Sequence, residues 1–107
     1  MVITMILITI DKDLMQNINR IEVTGHANSA EYGKDIICAS VSVILQTVGY
    51  MLEEREDALT SVKFAPGDSL VEIGNPTRES HLITSVFEYG AKQLSEQFPD
   101  YVNLKVS

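Results

Sequence analysis

Two long stretches of the chain repeat apolar residues with the period of an α-helix. The first covers residues 35 to about 55, and the second covers residues 79–98 and ends at the stop signal of Pro99. The first stretch is apolar around much of its circumference, which is typical of a helix in the middle of a core. We therefore expect two helices, of which the first is the central one.

Shorter segments with the alternation of β-strands lie before, between and after these helices. The predicted strands are residues 2–10, 18–25, 59–65, 69–74 and a tail in which Val102, Leu104 and Val106 face inward. The first strand is apolar enough to be buried on both faces. The third and fourth form a hairpin around Pro66 and Gly67, where the second turn position requires a positive φ. The order ββαββαβ predicts an α+β fold, a two-layer sandwich of a mixed or antiparallel sheet with two helices.

The length of the chain predicts the number of domains, and its first residues indicate whether it carries a signal peptide or a membrane span. A chain of 107 residues is long enough for one domain and too short for two, so we expect one domain over residues 1–107. The first ten residues are apolar, but they are too few to span a bilayer. Asp11 and Lys12 follow them, where a signal peptide would have small residues at its cleavage site. We therefore expect a strand there and no contact with a membrane.

The chain is acidic overall. Its 15 Asp and Glu residues outnumber its 8 Lys and Arg residues, which gives a formal net charge of -7. Nucleic-acid binding needs clustered basic residues, and the sequence has no such cluster, so we expect no direct contact with RNA or DNA. A basic partner or substrate would be attracted, by an interaction that salt weakens.

Cys38 is the one cysteine of the chain and lies about three residues into the first predicted helix. A lone cysteine excludes an intrachain disulfide and suits a reducing compartment, so we expect a cytoplasmic protein. The unpaired N–H groups of a first helical turn favour an anion, and the thiolate is the nucleophilic form of cysteine. The same position also suits a small buried hydrophobic side chain.

Three polar residues near Cys38 each have two interpretations. His26 precedes Cys38 by 12 residues, so the chain between them could fold back and form an activated cysteine–histidine pair; a solvent-facing loop histidine fits equally. Asp35 either serves as the N-cap or as a first-turn residue of the helix, or it helps to orient His26 or binds substrate. Ser42, one turn after Cys38, either hydrogen-bonds near the thiolate or bonds back to the preceding turn.

Metal binding is not predicted from the remaining candidate ligands. A site built from His26, Cys38 and His81 would lack the close ligand spacings of zinc motifs. We therefore expect no metal and no other cofactor.

Residues 25–45, GHANSAEYGKDIICASVSVIL, carry a longer pattern around the cysteine and the histidine. The pattern consists of Gly25, His26 and Ala27 after a strand, Gly33 and Asp35 before an apolar pair, Cys38 and Ala39, and Ser42 four residues after the cysteine. In this pattern, in length and in the order of its elements, the chain resembles the ribosomal-processing cysteine protease family, Prp.

The resemblance implies an activity, a partner and roles for residues. Members of the family remove a short N-terminal extension, after a pair of aromatic residues, from the twenty-seventh protein of the large ribosomal subunit, and they form homodimers. Carried over by position, Cys38 is the nucleophile and His26 is the general base and acid. The residues expected to support them or to bind substrate are Gly25, Ala27, Gly33, Asp35, Ala39 and Ser42. The chain is thus expected to be a cysteine endopeptidase of ribosome maturation with a Cys–His dyad.

Two functions of other classes are also consistent with the sequence. A non-catalytic ribosome-assembly adaptor would bind the same leader, and its Cys38 would be buried and inert. A redox-sensing protein would use the thiol without hydrolysing a peptide.

Overall fold

The computed structural model describes residues 5–25 and 32–107, and for residues 32–35 it describes the backbone alone. The elements are β1 (Ile6–Lys12), β2 (Ile18–Thr24), α1 (Tyr32–Glu53), a short 3-10 helix (Glu56–Ala58), β3 (Thr60–Ala65), β4 (Asp68–Ile73), α2 (Arg78–Gln97) and β5 (Val102–Val106). The α+β class and the order ββαββαβ are confirmed.

The strands form one five-stranded mixed sheet in the order β3-β4-β2-β1-β5. β1 pairs with β5 in parallel, and the other neighbouring strands pair antiparallel. Because β1 and β2 run in opposite directions, the beginning of β1 lies beside the end of β2, where Leu7 is opposite Thr24. The antiparallel pair of β2 and β4 brings the β3–β4 turn to this same end of the sheet, where Thr24 is opposite Asp68.

The core lies between one face of the sheet and the two helices. Its largest fully buried side chains include Ile8 and Ile10 of β1, Leu45 and Leu52 of α1, and Phe87 of α2. The buried residues of α1 recur every three or four positions, as expected for the central helix. Within the described part of the chain, the stretch Ile36–Glu53 is long and apolar enough to cross a membrane by length and composition alone. One face of this stretch packs in the core, and 33% of the stretch is buried.

The structure corrects one prediction about strands. β1 is not buried on both faces: Ile6 and Ile8 are buried, but Leu7 is 43% exposed, because the helices cover only one face of the sheet. Val106 pairs with Ile10 in the parallel ladder and so lies on the inward face as predicted, although it is 43% exposed at the end of an edge strand. The first predicted residues of β1, 2–4, lie outside the described residues.

Candidate active site

Cys38 lies in the second turn of α1, one turn later than predicted. The helix begins at Tyr32, so Asp35 belongs to its first turn and is not its N-cap. The unpaired N–H groups of a helix start are those of its first four residues, and Cys38 is not among them. The prediction of a first-turn cysteine is therefore wrong. It failed because the apolar repeat begins only at Ile36, while Gly33 is a poor helix former that gives no helical signal.

Cys38 lines a cleft of about 360 Å³ between α1 and the β3–β4 hairpin. The helix contributes Cys38, Val41, Ser42 and Gln46; the ends of β1 and β2 contribute Ile6, Val23 and Gly25; and the hairpin contributes residues 64–69. The thiol is free and its residue is half-buried, with one side against the core. A cysteine in this position can meet a ligand in the cleft, which argues against the interpretation as an inert core residue.

Gly25 lines the cleft, and its backbone conformation requires glycine. Its φ is +85°, and a Cβ atom added there would overlap the carbonyl oxygen of Met5. Its N–H group donates a hydrogen bond of 3.1 Å to the carbonyl oxygen of Gly67. Gly67 has a φ of +72°, which confirms the predicted turn at the tip of the β3–β4 hairpin. The bond joins two walls of the cleft.

The hydroxyl of Ser42 is available to a ligand. Ser40 and Thr47 on the same helix donate hydrogen bonds to the carbonyl oxygens four residues earlier, at 2.8 and 2.7 Å. Ser42 makes no such bond within the part of the chain that the structure describes. Of its two interpretations, the bond back to the preceding turn is therefore not the one observed, and the side chain lines the cleft beside Cys38.

The structure brings together three of the predicted site residues, namely Gly25, Cys38 and Ser42. Ala39 is exposed and follows Cys38 without lining the cleft. His26 and Ala27 lie outside the described residues, and Gly33 and Asp35 are described by their backbone in the first turn of α1.

The sequence did not indicate the hairpin wall of the cleft or Gln46. The sequence predicts a turn at Pro66 and Gly67, but the position of this turn opposite Cys38 follows from the pairing of β4 with β2. In the sequence, Gly49 is the residue that indicates where the helix and the hairpin pack closely. A Cβ atom added there would lie 2.7 Å from Cζ of Phe64.

The chemistry of the cleft suits a segment of polypeptide. Its walls combine a thiol with the apolar side chains of Val23, Val41 and Phe64, and the hairpin turn adds main-chain groups. Over residues 5–25 and 32–107, no group of three or more His, Cys, Asp or Glu side chains is placed to hold a metal ion. A half-buried thiol beside an apolar surface can contact a group that binds in the cleft.

The comparisons with known proteins point to one family. The model of the family "Cysteine protease Prp" matches residues 5–103. The ribosomal processing cysteine protease Prp of Mycoplasma genitalium is 31% identical over 84 residues, which are 78% of this chain and 84% of that protein.

Two solved structures have the same fold. SMU.848 from Streptococcus mutans has a TM-score of 0.83 and 30% identity, over 96% of this chain and 94% of that one. The essential ribosomal processing protease Prp from S. aureus, in complex with a covalently linked product peptide, has a TM-score of 0.82 and 20% identity, over 96% of this chain and 100% of that one. With the family model matched over residues 5–103, the chain belongs to the cysteine protease Prp family and is a cysteine protease.

Proposed function

We propose that this protein removes the N-terminal extension of the twenty-seventh protein of the large ribosomal subunit during ribosome maturation. In this proposal, Cys38 is the nucleophile and His26 is the general base and acid. The observation that carries it is the position of Cys38 in a cleft that can hold an extended peptide. The ribosomal-processing name of the M. genitalium relative and the product peptide held by the S. aureus protein support it.

The proposed reaction proceeds in two steps. His26 takes the proton of the Cys38 thiol, and the thiolate attacks the carbonyl carbon of the scissile bond to form an S–C bond. The C–N bond then breaks as His26 gives that proton to the leaving amine. His26 next takes a proton from water, whose oxygen attacks the thioester carbonyl. The S–C bond breaks, the thiolate leaves, and the carboxylic acid formed gives its remaining proton to solvent. No metal or other cofactor takes part.

The supporting residues have proposed roles in the same site. Asp35 lies in the first turn of α1, three positions before Cys38, and its proposed role is to help orient His26. Gly33 lets the first turn of α1 approach a substrate closely. Gly25 and Ala27 flank His26, and Ser42 can donate a hydrogen bond to the bound peptide beside the thiol. Ala39 keeps the position after the nucleophile small.

The lining of the cleft and the charge of the protein fit the proposed substrate. The apolar side chains of Val23, Val41 and Phe64 offer a surface for an aromatic residue next to the scissile bond. A chain with a formal net charge of -7 attracts a basic ribosomal precursor over a distance of about one Debye length. Rising salt should therefore slow the capture of that precursor.

The proposal places a homodimer in the cytoplasm, where a lone cysteine stays reduced. An apolar groove of about 370 Å³ lies between α1 and α2, away from the cleft. Val43, Leu82 and Val86 line it, and each is 63% exposed. Soluble monomers rarely expose continuous apolar patches of this kind, and a two-fold axis would cover the groove with the same groove of a second copy.

Oligomeric state tests the dimer. Leu82→Asp should convert the dimer to a monomer in sedimentation experiments, because it places a charge in the groove. Leu14→Asp is the matched control, since Leu14 is 99% exposed in the β1–β2 turn and should leave the dimer intact. If the Leu82→Asp variant remains a dimer, the dimer interface does not lie at this groove.

Cleavage of a leader-bearing precursor tests the activity. The wild-type protein should release the leader as a single product, and mass spectrometry of both fragments gives the bond that is cut. Cys38→Ser and His26→Ala should each lose at least a hundredfold in kcat/KM, the scale of a lost nucleophile or general base. Cleavage by either variant at the rate of the parent would refute the assigned roles.

The same experiment separates the two other functions. A non-catalytic adaptor would bind the precursor without cutting it, and Cys38→Ser would bind with the same affinity. A redox sensor would leave the precursor intact and change its binding only after oxidation of the thiol.

A further inference from the structure

The cleft extends along α1 beyond Cys38, and Gln46 is the last residue of the helix that lines it. Cys38, Ser42 and Gln46 are spaced by four residues, so they lie on one face of the helix, and all three line the cleft. Eight residues of α-helix rise about 12 Å, which is the length of about three to four residues of extended chain. A peptide that lies along this face passes Gln46 a few residues from the bond at Cys38.

The side-chain amide of Gln46 is free to bind such a peptide. The residue is exposed, and none of the hydrogen bonds within the described residues involves its amide. Thr47, its neighbour, differs, because its hydroxyl is bonded to the carbonyl of Val43. A carboxamide has both a donor and an acceptor, so it can pair with the C=O and the N–H of a peptide main chain.

The β3–β4 hairpin forms the wall of the cleft opposite Gln46. Phe64 and the turn after it face α1 across the cleft, and Gly49 lets the ring of Phe64 pack against the helix one turn beyond Gln46. Gln46 is the last residue of the helix that lines the cleft. A peptide that lies between the hairpin and the helix at Cys38 and follows the helix therefore passes Gln46.

We infer that Gln46 is a specificity-determining residue that hydrogen-bonds the main chain of the substrate about three to four residues from the scissile bond. The inference rests on the proposed role of Cys38, because that role fixes where the scissile bond lies. A hydrogen bond to the main chain forms in the same way whichever side chains the substrate carries. Gln46 thus sets how long a peptide must be for efficient cleavage, rather than which residues it contains.

Two series of peptides test this role. Each starts from the full leader substrate; one is shortened from its N-terminal end and the other from its C-terminal end, and kcat/KM is measured for every length. Gln46→Ala should lower kcat/KM for the full peptide by about five- to tenfold, the effect of one neutral hydrogen bond. In one of the two series, this difference should vanish when fewer than three residues remain on that side of the bond.

The control variant is Gln93→Ala, which removes the same side chain from an exposed position of α2 outside the cleft. It should cleave all peptides like the wild type. Two results would overturn the inference and leave the proposed function intact. In the first, Gln46→Ala lowers kcat/KM by the same factor for long and short peptides in both series. In the second, Gln46→Ala and Gln93→Ala lower kcat/KM equally. Failure of the wild type to cut any peptide would overturn both.

Discussion

The N–H group of Gly25 donates a hydrogen bond to the carbonyl oxygen of Gly67, 3.1 Å away. Gly25 directly precedes His26, and Gly67 lies in the β3–β4 turn that lines the cleft. The bond therefore connects the residue before the proposed base to the wall opposite the nucleophile. Both residues have a positive φ, so this connection depends on two glycines.

Gly25→Ala should lower the free energy of unfolding by about 1–3 kcal/mol. The new side chain would be held in a left-handed conformation and would overlap the carbonyl oxygen of Met5. Urea unfolding measures the change. Gly90→Ala is the control: in the middle of α2 its Cβ atom would meet Cδ1 of Ile44 at an ordinary 3.6 Å, so helix propensity should raise stability by about 0.5–1 kcal/mol. Equal effects of the two changes would contradict this account.

Gly49→Ala should reduce both stability and activity. The added Cβ atom would lie 2.7 Å from Cζ of Phe64 and 3.2 Å from Cγ1 of Val62, and overpacking costs about 1–3 kcal/mol, more than the gain in helix propensity. Phe64 lines the cleft and packs edge-to-face on Tyr50, with ring centroids 5.2 Å apart, so its displacement should lower kcat/KM.

Thermal unfolding and cleavage rates measure the two effects of Gly49→Ala. The double variant Gly49→Ala with Phe64→Leu provides the control, because the smaller side chain makes room for the new methyl group and should recover part of the stability. A single Gly49→Ala variant that is more stable than the parent would show that the helix moves away at no cost.

Ser42→Ala should lower kcat/KM by about five- to tenfold and leave the free energy of unfolding almost unchanged. Its hydroxyl lines the cleft beside Cys38 and makes no hydrogen bond with other described residues, so folding does not depend on it. Ser40→Ala is the matched control, since that hydroxyl is bonded to the carbonyl of Ile36 outside the cleft. Cleavage assays in which both variants match the parent would exclude a contact between Ser42 and the substrate.

The more buried of two ion pairs, Lys12 with Glu88, should have a larger coupling energy than the shorter but more exposed pair, Lys63 with Asp68. Lys12 and Glu88 lie 3.2 Å apart with side chains 22% and 20% exposed, whereas Lys63 and Asp68 lie 2.6 Å apart with side chains 59% and 49% exposed. Exposed pairs contribute about 0.2–1 kcal/mol, because water and salt screen them. Double-mutant cycles with Lys→Met and the matching amide should give the larger coupling energy for Lys12 and Glu88. The opposite order would show that distance dominates.

The fold could be predicted because each element carries its own local pattern. Period-two alternation and the 3.6-residue repeat require only neighbouring positions, and the turn at Gly67 requires only its own φ. The beginning of α1 could not be read in this way, since residues 32–34 have no apolar repeat. The exposure of Leu7 depends on which face of the sheet the helices cover, and that is a property of the whole chain.

The site was predictable only in part, for a related reason. Cys38 and Ser42 stand out in one segment, and their shared helix face follows from their spacing. The hairpin wall arises from pairing between β2 and β4, strands separated by the whole of α1. Gln46 becomes a candidate only when that wall is in place, because helical spacing alone does not say which face of α1 meets the hairpin.

Val41 belongs to the core and to the cleft at once. It is only 2% exposed, it lies within one turn of Cys38, and it lines the cavity that holds the thiol. A substitution that loosens the core at this point therefore also moves the nucleophile. Temperature-sensitive alleles in α1 should lose catalysis before they unfold, and a search for thermostable forms of this enzyme has its freest choices at exposed positions of α2 outside the groove, such as Gln93.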